Sequence, residues 1–170
     1  MDFNGTVFRA HNPRWSWSPL SGEGAKRFGG RFNPIGTPAL YTSLKASTAM
    51  LEASRLGRPF QPLTLISYRV NASLFDCTDK ATLTDIGFSD ADLAYPNWEL
   101  DMVSGVEPPQ HRLASALIDQ GVDGLLVRSY ARGADESDVN AVFWAWGGEA
   151  AEIIVIDDEG RLPRDDASWR

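Results

Sequence analysis

A single cysteine, Cys77, stands among the 170 residues, so no internal disulfide can form and the chain suits a reducing compartment. Histidine is almost as scarce. His11 and His111 lie far apart with no cysteine beside either, which argues against a zinc site, and no metal is expected. Long apolar runs are missing too: Ala141–Trp146 is the longest, far short of the roughly 20 residues that span a bilayer, so no membrane partner is expected. The opening Met1-Asp2-Phe3-Asn4-Gly5 has neither the basic flank nor the apolar segment of a secretory signal, so a cytoplasmic protein is expected. Basic side chains are outnumbered, 16 Lys and Arg against 23 Asp and Glu, for a net charge of −7. Such a surface repels phosphate backbones, which disfavours direct nucleic-acid binding and suits a basic protein partner. Internal repeats, low-complexity tracts and linkers are absent, and one domain over 1–170 is expected.

What the chain has is globular composition: 43% hydrophobic residues, with six Trp, eight Phe and four Tyr. A domain of this length buries roughly 70% of its unfolded surface and needs no staples. Thr6–Ala10 and Pro38–Thr42 read as short strands, and Leu63–Val70 as a further one with β-branched and aromatic content. Gly124–Ser129, Asn140–Trp146 and Glu152–Asp157 complete six. Ala46, Ala49, Met50, Ala53 and Leu56 recur at helical spacing, predicting a helix over Lys45–Leu56 that Gly57 stops. Pro108-Pro109 opens another helix, with Leu113, Leu117 and Ile118 on one face and Gly121 past its end. Asp79–Val103 reads as short helical turns, and Trp15–Gly30 as a long Gly-rich loop of the kind that carries function. Strands and helices do not alternate regularly. The expected class is therefore α+β, one domain with mixed or antiparallel sheets of about six strands and flanking helices, not a doubly wound parallel sheet.

Chemistry concentrates in Gly29-Gly30-Arg31-Phe32-Asn33-Pro34-Ile35-Gly36-Thr37-Pro38. Two glycines allow close backbone approach, and Arg31 brings a planar five-donor cation that can fork onto a pyrophosphate or carboxylate. The alternative is an Arg satisfying nearby carbonyls at a strand end. The segment is neither a Walker loop nor Gly-x-Gly-x-x-Gly. Tyr41 lies in a strand that leads into the helix carrying Glu52, which falls at the border of the apolar stripe. There a carboxylate can be half-desolvated while reaching a cleft, or it can simply pair with Arg55 three residues on. Ser129 and Asn140 end and open strands beside the polar loop Tyr130–Val139, where sites are often built, although both are also ordinary turn formers. A Ser–His–acid triad would need to recruit His11 or His111 from afar and is set aside. Trp144 and Trp146 read as anchors of the core or of one sheet face, whereas Trp15 and Trp17, in the long loop, either join the core or cover a ligand or dock a partner.

The run Gly29-Gly30-Arg31-Phe32-Asn33-x-x-Gly36-Thr37-Pro38-Ala39-Leu40-Tyr41-Thr42-Ser43, then Ala49-Met50-x-Glu52, resembles the RES-domain family, named for an Arg, a Glu and a Ser. The resemblance continues at Gly121–Val127 with Ser129, and at Asn140–Phe143, and Phe8-Arg9 looks like the family's opening strand. Phe32 stands where the family commonly has Trp, and Arg128 where it often has Pro. The resemblance implies a fold similar to ADP-ribosyltransferases and a bacterial toxin encoded beside an antitoxin with a helix-turn-helix DNA-binding part. It implies NAD+ as substrate, with Glu52 as the catalytic carboxylate, Arg31 gripping the diphosphate or ribose, and Tyr41 against the nicotinamide. Ser129, Asn140 and Arg9 would help hold the nucleotide. ADP-ribose transfer to a protein acceptor stands ahead of transfer to water or phosphate, although the Glu-x-Glu pair of many protein ADP-ribosyltransferases is absent and only Asp135-Glu136-Ser137-Asp138 offers acids nearby. A non-catalytic nucleotide-binding or antitoxin-binding module is the alternative of another class.

Overall fold

A computed structural model of the chain describes residues 1–54, 59, 61–148 and 150–167. Its strands are β1 (Asp2–His11), β2 (Leu40–Ser43), β3 (Thr64–Asp76), β4 (Gly124–Arg128), β5 (Val139–Phe143) and β6 (Glu152–Val155). They form one sheet in the order β1-β2-β5-β4-β3-β6, and β1 also pairs with β3. The pairings β1-β2-β5-β4-β3-β1 thus close a ring, with β6 attached outside it. All pairs are antiparallel except β3–β4, the two strands separated by a long helical crossover. The result is a single α+β domain with one mixed six-stranded sheet and flanking helices.

Each predicted strand has its counterpart, with shifted ends. β3 runs six residues beyond the predicted end at Val70, because Ala72 and Leu74 continue the buried alternation through the polar Asn71 and Ser73. β5 stops at Phe143, earlier than expected, and the chain then sends Trp144 and Trp146 to opposite cores instead of one sheet face. The long segment after β1 is not one loop. It contains a 3-10 turn, Pro13–Trp15, and a helix, α1 (Glu23–Phe28), which its exposed polar composition conceals. The expected turns over Asp79–Val103 are three short helices, α3 (Lys80–Asp85), α4 (Asp90–Ala94) and α5 (Trp98–Val103), and α6 spans Pro109–Asp119.

The helix predicted over Lys45–Leu56 is α2 (Ala46–Ala53). Leu56, Gly57 and Arg55, with its possible pairing to Glu52, lie outside the described residues. Its inward face also differs: Met50 is exposed, while Thr48 and Ala49 are buried. Thr48 is drawn in because its hydroxyl donates to the Asp138 carboxylate, which also accepts from the Asp135 amide at 2.9 Å. These hydrogen bonds, the Thr48 one first, hold the Asp138 carboxyl below its ordinary range. Lys45 Nζ donates to Ser137 Oγ at 2.6 Å from the same end of the helix. The loop between β4 and β5 is thereby latched to α2, which fixes where Glu52 can reach. Two apolar clusters flank the sheet. One gathers Val7, Leu40, Tyr68, Leu74 and Phe143; the other packs Leu113 and Leu117 of α6 and Leu83 and Leu93 of the short helices onto Leu125, Val127 and Val142.

Candidate active site

Glu52 lies near the C-terminal end of α2, and strand register brings its partners to it. Asn140 of β5 stands opposite both Ser43 of β2 and Val127 of β4, and Ser129 follows directly after β4. Glu52 Oε1 accepts from Ser129 Oγ at 2.6 Å and from Asn140 Nδ2. Asn140 is itself oriented, its Oδ1 accepting from Ser43 Oγ at 2.7 Å. Among the described residues no hydrogen bond reaches Oε2. The sequence suggested a half-desolvated carboxylate; Glu52 is instead exposed at the cleft mouth, because α2 turns only Thr48 and Ala49 fully inward. Ser129 and Asn140, each an ordinary turn former when taken alone, converge on one carboxylate.

Arg31 sits on a turn whose polar atoms are nearly all engaged. Gly30 and Asn33 exchange backbone hydrogen bonds of 2.9 and 3.3 Å. A Cβ at Gly30 would lie 2.5 Å from the Tyr41 hydroxyl and 2.6 Å from Asn33 Oδ1, so only glycine allows this approach. Tyr41 Oη donates to Asn33 Oδ1 at 2.7 Å and accepts from the Phe32 amide at 3.0 Å. The fully buried Asn33 donates to the carbonyls of Ala25 and Thr37, both at 2.9 Å. His111 Nε2 lies 2.8 Å from the Gly30 carbonyl, and the Trp144 indole donates to that of Phe32 at 2.7 Å. Burial among these groups pushes the Tyr41 hydroxyl's pKa up, so it is protonated at any physiological pH.

The guanidinium of Arg31 donates through Nη1 to the carbonyls of Tyr95 (3.2 Å) and Leu93 (3.4 Å), and lies over the rings of Tyr130 (4.6 Å) and Trp98 (5.7 Å). Gln110, fully buried on α6, donates to the same two carbonyls. Arg31 thus satisfies nearby carbonyls through one nitrogen, and its charge lies in the field of Tyr130, Glu52 and Tyr41. Burial lowers its pKa, and the phenols of Tyr130 and Tyr41 and the Glu52 carboxylate work against that. Burial also pushes Tyr130 up to about 12.

Glu52, Tyr41, Asn140 and Arg9 line one cleft of about 310 Å3, walled by Phe8–His11 of β1 and closed behind by Ser43 and Ala49. Ser129 joins it through Glu52, whereas Arg31 is not one of its lining residues and acts on it only through its field. Arg9 is bound structurally, donating to the carbonyls of Pro19 (3.2 Å) and Ser21 (3.3 Å), and burial lowers its pKa. Next to it His11 is lowered to about 4, first by burial and then by the Arg9 charge, so its ring is neutral at pH 7. Ser129 and Asn140 therefore meet Glu52 directly, whereas Arg31 and Arg9 meet backbone carbonyls. The residues that sequence reasoning missed are those that hold others: Asn33, Ser43, Gln110, His111 and the Thr48–Asp138 latch. Asn33 lay inside the Gly-rich run, and His111 in the first turn of a helix, but their partners come from distant segments. Among the described residues no group of His, Cys, Asp and Glu could hold a metal ion, and no helix is long and apolar enough to cross a membrane.

A ring-closed α+β sheet carries an exposed carboxylate fixed by Ser and Asn, the one acid among the described residues that line its cleft. The chain belongs to the RES domain family, whose model matches residues 6–165. Among solved structures it is similar to the M. tuberculosis MbcT–MbcA toxin–antitoxin complex, at 20% identity, with a TM-score of 0.59, covering 92% of this chain and 84% of that one. That likeness shows the shared fold. Among curated proteins none matches the chain in sequence.

Proposed function

We propose that this chain is an NAD+-consuming toxin that breaks the bond between nicotinamide and ribose and transfers ADP-ribose, to a protein acceptor in the leading reading. The observation that supports it is the exposed Glu52 carboxylate, aimed by Ser129 and Asn140, with no other acid among the described residues that line the cleft. When the glycosidic C–N bond breaks, its electron pair leaves with nicotinamide and neutralises the pyridinium, so no general acid is required. The ribose C1′ becomes cationic and then bonds the acceptor's nucleophilic atom, whose proton passes to solvent. A carboxylate facing that cation stabilises charge present only near the transition state, the same logic as in glycoside cleavage. Ser129 and Asn140 donate to Oε1, so Glu52 is held in place. Arg31 supplies a fixed positive group for the diphosphate or ribose, and the Tyr41 ring a flat wall for nicotinamide.

The openness of the cleft at Glu52 favours a second reading, in which water or phosphate is the acceptor and NAD+ is depleted. A partner antitoxin with a DNA-binding part fits the net charge of −7, which would speed association with a basic protein. Cell extract incubated with NAD+ and the protein tests the reading by mass spectrometry. Nicotinamide release with an ADP-ribose mass increment on a protein supports transfer. Release with free ADP-ribose or its phosphate supports depletion. No release overturns both.

A further inference from the structure

A second cavity of about 470 Å3 opens on the far side of Arg9 and His11, between β1 and the segment that carries α1. The two cavities share Arg9 and His11, which lie two residues apart on β1 and hence on one face of the strand. The Glu52 cleft alone is at the small end of ligand sites, which run from about 300 to 1,000 Å3. A dinucleotide extends beyond it, and the second cavity adjoins it at Arg9 and His11.

The second cavity has the chemistry of a base site. Trp15 and Phe28 stand on its wall, 54% and 67% exposed although both are large aromatic residues. Each has a guanidinium over its ring, Arg14 at 5.5 Å from Trp15 and Arg27 at 5.4 Å from Phe28. Exposed ring faces accompanied by cations are what a purine stacks on and a phosphate approaches. The segment is also tied down: the Tyr68 hydroxyl donates to the Pro19 carbonyl at 2.9 Å, Arg9 holds the Pro19 and Ser21 carbonyls, and the buried Ser16 hydroxyl donates to Thr64 Oγ1 at 2.6 Å. The rings are therefore carried on an anchored wall.

We infer that this second cavity receives the adenosine half of the dinucleotide, stacked against Trp15 and Phe28, while the Glu52 cleft receives the nicotinamide riboside half. The inference rests on the proposed NAD+ chemistry for its ligand, but its test needs no turnover. Calorimetric titration of the full chain with ADP, which carries the adenosine and both phosphates but no nicotinamide, is expected to show saturable binding. Trp15→Ala and Phe28→Ala should each weaken it about tenfold, the loss of one stacked base. Both side chains are exposed, and an unchanged thermal midpoint shows that the fold is kept. ADP binding that is absent in the parent, or equal in parent and variants, overturns the inference. Nicotinamide release from NAD+, measured alongside, separates the two ideas. Release without any effect of the variants on ADP binding leaves the chemistry standing and removes the adenosine site; weakened ADP binding without release keeps the site and removes the chemistry.

Discussion

Arg31 and Glu52, each within the other's electrostatic field, stand in surroundings of opposite construction. Around Arg31 the partners are backbone carbonyls and buried side chains: Asn33, Tyr41, His111 and Trp144 bind the turn together, and Nη1 of Arg31 bonds two carbonyls. Around Glu52 the partners are three side chains from strands and strand ends, meeting at the solvent-exposed end of a short helix. Groups committed to the backbone hold shape, and changing them costs stability along with activity. Groups that meet chiefly other side chains around an exposed carboxylate hold a charge in position, and changing them costs activity more than stability.

The contrast is broken most forcefully at Asn33. Asn33→Ala takes a donor from the Ala25 and Thr37 carbonyls and the acceptor from the Tyr41 hydroxyl, for an expected loss of about 3–5 kcal/mol and a melting temperature lower by about 10 °C. A thermal scan showing no change would mean that the turn is not the rigid body described here. Tyr41→Phe removes only the hydroxyl and leaves Asn33 Oδ1 and the Phe32 amide unpaired, so about 2 kcal/mol is expected in denaturant unfolding. The ring is kept, and if its role is stacking, nicotinamide release per folded molecule should fall far less than in Tyr41→Ala. Arg31→Lys keeps the charge but loses the planar fork; NAD+ affinity is expected to weaken about tenfold, or 1.4 kcal/mol, with the fold retained. Equal affinity would reduce Arg31 to a structural cation.

The smallest effect concerns His11. Its folded pKa is about 4 against an ordinary 6.5, so between these values the unfolded chain binds the proton and the folded one does not. Stability should therefore be complete above pH 6.5 and decline by about 1 kcal/mol toward pH 4, allowing for solvent screening of a partly exposed ring. His11→Gln should flatten that slope in unfolding curves taken across the window. An unaltered slope would place the titration elsewhere.

Much of this frame was legible in the sequence because its signals are local. Short segments bounded by turn residues marked the six strands, and Pro108-Pro109 with Gly121 marked α6. The quoted motifs picked out Glu52, Ser129 and Asn140, which meet directly, but gave no role to Ser43, which orients Asn140. What was illegible depended on distant partners. Thr48 reads as a polar break in an alanine stripe until Asp138 is seen beneath it, and the extent of β3 depended on β1 pairing through Asn71 and Ser73. Helix α1, only six residues long, is held by contacts such as Asn33 to the Ala25 carbonyl and not by its own apolar face. Asn33 could be quoted as part of a pattern, but the structural burden it carries is visible only once Tyr41 and Thr37 stand around it.

The central claim is that the Glu52 negative charge, and not its contribution to the fold, drives the reaction. Nicotinamide release, NAD+ affinity and thermal midpoint measured together for Glu52→Gln test it directly. The Gln side chain keeps the size and can still accept from Ser129 and Asn140, so midpoint and affinity should stay near the parent values. Release should fall by about two to three orders of magnitude, as when one charge-stabilising group is removed. Undiminished release, or a loss of release fully matched by a loss of folded protein, would contradict the account.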